Sequence, residues 1–338
     1  MFNKLTIINI PKVTSEWKLT DYLGTIKVRS SIGRNAYTVE PGLYKFGNPD
    51  SQSAVFASAN YKLSFDILRK NLEGLNAWIL VLDTKGINVW CAAGKGTFGT
   101  NELIHRIKET KLSDYISHKT IILPQLGASG IAAYYIRENT GFNVKFGPVR
   151  ARDIKEYIDK KYQKSEEMRQ VSFNLTDRLI LTPVEIMNSF HYLLILLLAT
   201  FILSGITSEG YKLASFLHEG MKACLMIGSA YISGTILVPL LLPWIPSRYF
   251  AGKGIIVQTL MFLILLFPDI TNYHILNITG WYFFTTSLSS YLAMNFTGST
   301  TFTSLSGVKK EMKLFIPIQI FSFLTGLIMI IVSKFINL

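Results

Sequence analysis

Cysteine is scarce in this chain of 338 residues: Cys91 and Cys224 are the only two. Two thiols cannot complete a four-cysteine zinc or iron–sulfur site within one chain, and they cannot build a scaffold of several disulfides. The five histidines never fall at a metal-ligand spacing such as His-Glu-x-x-His. The sequence therefore excludes these self-contained metal centres and a disulfide-based fold.

Charge is also scarce, and it is unevenly distributed. Charged residues make up 17% of the chain, whereas a soluble domain is usually about a quarter charged. Residues 183–338 contain only 8 of the 34 Lys and Arg and 5 of the 22 Asp and Glu. This distribution excludes a single globular domain and a disordered chain. It predicts a soluble first part followed by a membrane part.

Five stretches of the second part are apolar enough to cross a bilayer, which takes roughly 20 apolar residues. The predicted spans are about 187–206, 223–242, 250–267, 275–294 and 314–332. The third is short, and it becomes adequate if it begins near Phe250 and Lys253 extends toward the headgroups. We therefore expect an all-α transmembrane domain of about five helices over 187–338.

Basic residues between the spans predict their orientation. The second and fourth loops carry the basic residues Arg248, Lys253, Lys309, Lys310 and Lys313, whereas the third loop carries Asp269 and no Lys or Arg. The positive-inside rule then places the amino-terminal domain in the cytoplasm and the carboxyl terminus outside. The first loop, with two lysines, lies outside against that rule. Met1–Pro11 is short for a signal peptide and contains Lys4, which also favours a cytoplasmic first domain in a multi-pass protein of the cytoplasmic (inner) membrane.

The first part alternates strand-like with helix-like runs. Predicted strands are Ala54–Ser58, Ala77–Leu82, His118–Leu123 and Asn143–Phe146, and predicted helices are Leu63–Leu75, Asn101–Glu109, Gly130–Asn139 and Arg152–Tyr162. This alternation is typical of an α/β fold with a mainly parallel, Rossmann-like sheet. We expect the soluble domain to cover residues 1–165, and a solvated juxtamembrane connector to cover 166–186.

The segment Gly86–Thr100 follows a buried strand and precedes a helix, a position where open α/β sheets bind ligands. Gly94, Gly96 and Gly99 match the dinucleotide pattern G-x-G-x-x-G, but no acidic residue follows at a strand end about 20 residues later. A P-loop does not fit, because Lys95 precedes a glycine. The residues leave open whether Cys91 is a small buried hydrophobe or a reactive thiolate beside Lys95 at a helix amino terminus.

A resemblance narrows these alternatives. Asn88-Val-Trp-Cys-Ala-Ala-Gly-Lys95 resembles the signature of mercury-methylating corrinoid proteins. Ser58-Ala-Asn-Tyr-Lys-Leu-Ser-Phe65 resembles the segment beside the corrin in that family and in the large subunit of the corrinoid iron–sulfur protein. That family commonly has Thr where this chain has Ser58. It also combines a corrinoid-binding α/β domain with about five spans.

The resemblance implies a corrinoid-dependent methyltransferase that moves a methyl group from methyl-cobalt(III) corrinoid to Hg(II), giving methylmercury. Cys91 would be the lower axial ligand of the corrinoid cobalt and the catalytic residue. The other implied cofactor-binding residues are Ser58, Asn60, Asn88, Val89, Trp90, Ala92, Ala93, Gly94 and Lys95. Asn88 and Trp90 would orient a short cap helix, the small residues would admit the corrin ring, and Lys95 would contact a corrin amide or tune the thiolate.

The resemblance also implies partners, because this chain has no iron–sulfur cluster of its own. A separate small ferredoxin with two 4Fe–4S clusters would donate electrons and handle mercury. A methylated folate, delivered through another methyltransferase, would supply the methyl group. No nucleic acid is expected, since a membrane accounts more simply for the net charge of +12. The alternative function is a membrane-anchored corrinoid carrier that passes methyl groups to a different acceptor in one-carbon metabolism.

Overall fold

The computed structural model describes residues 10–266 and 274–336, and the chain forms two compact units, Met1–Ser172 and Phe173–Leu338. Several features used in the sequence predictions lie outside the described residues: residues 1–9 with Lys4, the end of the third span at residue 267, the loop residue Asp269 and the chain end at Leu338. The predicted domain limits at 165 and 187 therefore stay predictions, beside a division of the chain after Ser172.

A six-stranded sheet organises the first unit, with the strand order β1-β2-β4-β3-β5-β6. The strands are β1 (Lys12–Val13), β2 (Gly42–Phe46), β3 (Ala54–Ala59), β4 (Ala77–Leu82), β5 (Thr120–Leu123) and β6 (Asn143–Phe146). All neighbours run parallel except β2 and β4. The predicted α/β class with a mainly parallel sheet is confirmed, and the antiparallel β2–β4 pair makes the sheet a mixed one. The sequence does not reveal β2, because this half-buried strand lacks a continuous apolar run.

Helices cover both faces of this sheet. They are α1 (Leu19–Arg29), α2 (Lys62–Asn71), α3 (Val89–Lys95), α4 (Thr100–Glu109), α5 (Ala133–Thr140) and α6 (Ile154–Asp159). One hydrophobic core packs the sheet against α4 and α5, and a second packs it against α2 and α6. Every residue of β4 is buried. A strand covered on both faces needs apolar side chains at every position, which explains the unbroken apolar run in this strand.

Helices also make up most of the second unit. They are α7 (Leu175–Ser204), α8 (Leu213–Ile232), α9 (Val238–Leu241), α10 (Phe250–Leu266), α11 (Ile275–Asn295) and α12 (Leu305–Ser333). Within the described residues, three helical stretches are long and apolar enough to cross a membrane: Leu175–Ser204, Leu213–Leu241 and Ser306–Ser333. The α10 helix has only 17 residues, and α11 carries many hydroxyl side chains. Of the prediction of about five membrane helices, the structure therefore supports the coarser statement of a helical unit in which three helices are long and apolar enough to cross a membrane.

The α7 helix begins well before the span predicted at residue 187. Its start is fixed by Asn174, whose Oδ1 accepts a hydrogen bond from the Asp177 N–H at 3.1 Å, while the Asp177 carboxylate accepts one from the Asn174 N–H at 3.2 Å. Such a reciprocal capping box satisfies two amides that a helix amino terminus leaves free. Helical structure therefore starts within the predicted connector 166–186.

Buried charges close helix ends in the second unit. The Lys253 ammonium is buried and donates to the carbonyl oxygens of Leu242 at 2.8 Å and Ile245 at 2.6 Å. The Glu311 carboxylate is also buried, and it accepts from the Ala251 N–H at 2.7 Å. Lys253 thus points into the helical unit, where it satisfies carbonyl groups that lack helical partners.

Glycines permit close approach between α11 and its neighbours. A Cβ atom on Gly326 of α12 would lie 2.6 Å from the Phe284 nitrogen and 2.7 Å from the Gly280 oxygen of α11. A Cβ on Gly254 of α10 would lie 2.6 Å from the Ser289 oxygen of α11. Helices that lack a hydrophobic driving force between them associate through such close backbone packing.

Gly326→Ala should therefore lower the unfolding temperature of the purified protein. The added methyl group forces α11 and α12 apart, and overpacking of this kind costs about 1–3 kcal/mol. Gly228→Ala on α8 is the matched control, because no atom lies within 4 Å of a Cβ there; it should leave the midpoint unchanged or slightly raised. Equal midpoints for the two variants would contradict the close-packing argument.

Candidate functional site

A cavity of about 350 Å³ lies at the carboxyl ends of the central strands of the first unit. Its wall is mainly apolar and comes from the ends of β3 and β5, from α2, from the loops after β5 and β6, and from the start of α3. Of the residues predicted from the sequence, Ser58, Asn88, Val89 and Trp90 line it. The cavity therefore occupies the edge where α/β sheets place their ligands.

Asn60 ties the end of β3 to the loop that follows β4. Its side-chain oxygen accepts hydrogen bonds from the Thr84 N–H at 3.0 Å and the Gly86 N–H at 3.1 Å, and it lies 2.8 Å from the Thr84 hydroxyl. Its amide nitrogen donates to the Asp83 carboxylate at 3.2 Å. Asn60 is buried, and both the oxygen and the nitrogen of its side-chain amide bond to this loop. Asn60 therefore helps to fix the conformation of the loop at the site.

Side chains of α4 also bind the loop that follows β4. The Asp83 N–H donates to the Glu102 carboxylate at 2.8 Å, and Arg106 pairs with that carboxylate at 2.7 Å. Burial alone would raise the pKa of the Asp83 carboxyl, but hydrogen bonds from Lys85 outweigh it and hold this pKa below its usual value. Asp83 therefore stays ionised at neutral pH and serves the loop as a hydrogen-bond acceptor.

Helix α3 presents Cys91 next to this loop. The Asn88 side chain caps the helix by accepting a hydrogen bond from the Cys91 N–H at 3.0 Å. The helix ends at Gly96, whose φ of +80° suits glycine. The Cys91 thiol is exposed. This exposure contradicts the interpretation of Cys91 as a small buried hydrophobe.

The inner face of α3 is packed tightly against the unit. Ala92 and Ala93 are buried in the core. A Cβ on Gly130 would lie 2.2 Å from the Phe98 oxygen and 3.2 Å from the Ala93 Cα, so only glycine fits there. On the outer face, Cys91, Gly94 and Lys95 are exposed, and Trp90 retains 39% of its accessible surface. The predicted residues therefore divide between a cavity wall, a buried support and an exposed helix face.

The dinucleotide interpretation fails on geometry. Gly94 lies inside α3, Gly96 ends that helix, and Gly99 precedes α4. A dinucleotide fingerprint requires its glycines in one turn between a strand and a helix, whereas here the helix α3 intervenes. Among the described residues, no group of three or more His, Cys, Asp and Glu side chains could hold a metal ion by itself.

Asp83 and Thr84 lie at the centre of the loop network, although no sequence motif marks them. One signal could have found them: they are polar residues directly after the fully buried strand β4. Likewise, Pro124 and Pro148, which line the cavity, follow β5 and β6. Polar or proline residues at consecutive strand ends would therefore have located the cavity edge.

Comparison with known proteins finds relatives of the first unit. Residues 12–158 match the family described as CO dehydrogenase/acetyl-CoA synthase delta subunit. Gamma subunits of the acetyl-CoA decarbonylase/synthase complex are 28% identical over 155 residues in Methanopyrus kandleri and 31% over 147 residues in Archaeoglobus fulgidus. These alignments cover 45% and 42% of this chain and 33% and 31% of the relatives. The first unit is similar to those gamma subunits.

These matches cover only part of this chain and part of each relative. A third relative, the gamma subunit of Methanothermobacter thermautotrophicus, is 30% identical over 162 residues, 47% of this chain and 35% of its own length. The chain thus spans about a third of the length of these relatives. The matched range contains both motifs that carry the resemblance, Ser58–Phe65 and Asn88–Lys95. None of these matched proteins is described as mercury-methylating.

Asn60→Ala should loosen the loop after β4. The substitution leaves the buried amides of Thr84 and Gly86 without an acceptor, which costs about 1–3 kcal/mol. Hydrogen exchange of these two amides in the full chain should accelerate on the order of 5- to 150-fold. Asn139→Ala is the control, because Asn139 is exposed and bonds only within its own helix. Unchanged protection at Thr84 and Gly86 would refute the bridging role of Asn60.

Proposed function

We propose that the first unit binds a corrinoid at the carboxyl edge of its sheet, with Cys91 as the lower axial ligand of cobalt, and that the protein transfers methyl groups. The observation that carries this proposal is the exposed Cys91 thiol, presented by a short capped helix beside an apolar cavity. Supporting it are the motif Asn88–Lys95 and the similarity of residues 12–158 to a carbon monoxide dehydrogenase/acetyl-CoA synthase subunit family.

The donor set fits a corrinoid better than a bare metal ion. A metal held by protein alone needs several ligands, and the described residues hold no such cluster around Cys91. A corrin ring supplies four nitrogen ligands itself, so one axial thiolate suffices. The apolar cavity beside α3 adds a surface for the hydrocarbon parts of such a large cofactor.

A bound corrinoid supplies a cobalt that accepts and releases a methyl group. The protein's own residues prepare its place. Cys91 contributes an anionic sulfur donor, since metal ligation keeps a thiol deprotonated, and Asn88 fixes the helix that carries it. Gly94 is exposed with no atom within 4 Å of its Cβ position, so a flat ring can approach the α3 backbone there. Ser58 brings a buried hydroxyl to the cavity wall.

For the acceptor, we propose Hg(II), a soft ion that suits a methyl group released with its electron pair. Strong electron donation from the Cys91 thiolate favours release in that form. The motif Asn88–Lys95 supports this acceptor. A small ferredoxin with two 4Fe–4S clusters as electron donor, and a methylated folate as methyl source, belong to the same proposal.

The alternative is a membrane-anchored corrinoid carrier serving another acceptor in one-carbon metabolism. The similarity to gamma subunits of a multi-subunit complex favours it. Measuring methylmercury formation in cells with and without the gene, with the ferredoxin present, separates the two functions. Methylation that persists in cells lacking only this gene would reject mercury as the substrate and leave the carrier function.

We further propose that the second unit lies in the cytoplasmic membrane, with the amino-terminal unit inside and the carboxyl terminus outside. Support comes from three long apolar helices and from the basic loops at Arg248–Lys253 and Lys309–Lys313. An anchor fits better than a transporter, because the predicted spans carry no Asp, Glu, Lys or Arg near their middle.

Reporter fusions should confirm this orientation. A fusion in the loop at Lys309–Lys313 should show cytoplasmic activity, and one after Leu338 should show activity outside. The physical reason is the cost of moving clustered Lys residues across the membrane. A fusion after Leu338 that is active in the cytoplasm would refute the odd number of spans.

Removing the Cys91 thiol should change the spectrum of the corrinoid-loaded full-length protein. Wild type should give absorption and EPR spectra that differ from those of histidine- or water-ligated cobalamin, because sulfur is the axial donor. Cys91→Ala should lose this signature, whereas Cys224→Ala, which removes the other cysteine, should keep it. Identical spectra for wild type and Cys91→Ala would reject the ligand assignment.

Methyl transfer should depend on the anionic donor. Cys91→Ala and Cys91→His should each lose methylmercury formation by orders of magnitude, since neither supplies a thiolate; each tenfold loss is about 1.4 kcal/mol of barrier. Ser58→Ala should cost much less, because it removes only one hydroxyl from the cavity wall. The assay is methylmercury formed per unit of folded, corrinoid-loaded protein. Near-wild-type activity of Cys91→His would show that thiolate donation is unnecessary.

A further inference from the structure

Helix α1 turns its apolar side outward. Leu19, Leu23 and Ile26 are 72%, 56% and 63% exposed, while Asp21 and Val28 on the opposite side are buried. With 3.6 residues per turn, Leu19, Tyr22, Leu23 and Ile26 fall on one stripe about 100° wide. Soluble domains bury such a stripe against their own core. This helix leaves it on the surface, and we call these four residues the α1 stripe.

Ion pairs of Asp21 hold this helix on the first unit, together with Val28, which packs into the core. The Asp21 carboxylate lies 2.5 Å from the Lys62 ammonium and 2.8 Å from the Arg69 guanidinium. Both cations also pair with Asp66 of α2. Since Asp21 and Asp66 are buried, this network fixes the direction in which α1 faces. The outward α1 stripe is thus set by the native fold, and turning it inward would break the network.

The borders of the α1 stripe are basic and aromatic. On the helical wheel, Lys27 and Arg29 flank the stripe on either side. The Lys70 ammonium lies 4.7 Å from the Trp17 ring centre and 5.7 Å from that of Tyr22. An apolar stripe with basic flanks and interfacial aromatic rings is the pattern of helices that lie in the headgroup region of a bilayer.

We propose that the α1 stripe binds the surface of an anionic lipid bilayer. Charge complementarity supports this occupant, because residues 1–182 carry 26 Lys and Arg against 17 Asp and Glu. The proposal rests on the membrane location proposed for the second unit, which keeps the first unit at a high effective concentration near lipid. Four side chains bind a bilayer weakly alone, and the covalent connection makes such a contact persistent.

Photo-crosslinking in membranes that contain the full chain tests this contact. Benzoylphenylalanine replaces Leu23 in one variant and Ile26 in another, since both positions are exposed and tolerate the exchange. Tyr134 on α5, also well exposed, is the control position within the first unit. Leu198 on α7 is the control for the second unit, because it is exposed on a helix proposed to cross the bilayer.

We expect lipid adducts at Leu23 and Ile26, detected by mass spectrometry, at least several-fold more abundant than at Tyr134. Equal yields at Leu23, Ile26 and Tyr134 would overturn the proposal. So would adducts at the α1 stripe that join it to another protein or to residues 1–9 of this chain. Lipid adducts at Leu198 without any at the α1 stripe would overturn this inference alone, whereas absence at Leu198 would overturn the membrane location itself.

Discussion

The hydrogen bonds of one buried amide organise the candidate site. Asn60 follows β3 directly, and its side chain forms hydrogen bonds with the loop that follows β4. Because β3 and β4 are parallel and end side by side, these bonds connect the two strands just beyond their last paired residues. A buried amide needs hydrogen-bond partners for its nitrogen and its oxygen, and Asn60 has the partners described here only when the loop holds one conformation. That loop leads directly into α3. The position of the Cys91 thiol thus depends on a residue that does not touch it.

Two further constraints complete the geometry around α3. Asn88 ends the loop and begins the helix through one side-chain hydrogen bond, and Gly130 lets the backbone after β5 press against Ala93. Helix α3 is therefore capped at its amino terminus and closely packed along its inner face. Its outer face carries little bulk apart from Trp90 and Lys95. A short helix held in this way can present a thiol to a large planar cofactor without rearranging.

The two units are packed through different kinds of interaction. In the first unit, a mixed sheet is covered on both faces, and hydrophobic burial dominates. In the second, glycines bring α10, α11 and α12 into close contact, and buried Lys253 and Glu311 satisfy backbone groups at helix ends. Polar groups away from water require such partners. The α1 stripe takes part in neither kind of packing, because the ion pairs of Asp21 fix that helix with its apolar side on the surface.

Local sequence patterns were enough to predict the α/β class, the apolar second part and a candidate site in the segment Gly86–Thr100. These features follow from local patterns: unbroken apolar runs in buried strands, low charge, and a motif that sits after a strand. Other features emerge only in the folded chain: β2 runs antiparallel to β4, Asn60 connects the end of β3 to the loop after β4, Lys253 turns inward, and the apolar side of α1 faces outward. Each of these depends on residues far apart in the chain, such as Asp21 with Arg69, whose distance no local pattern encodes.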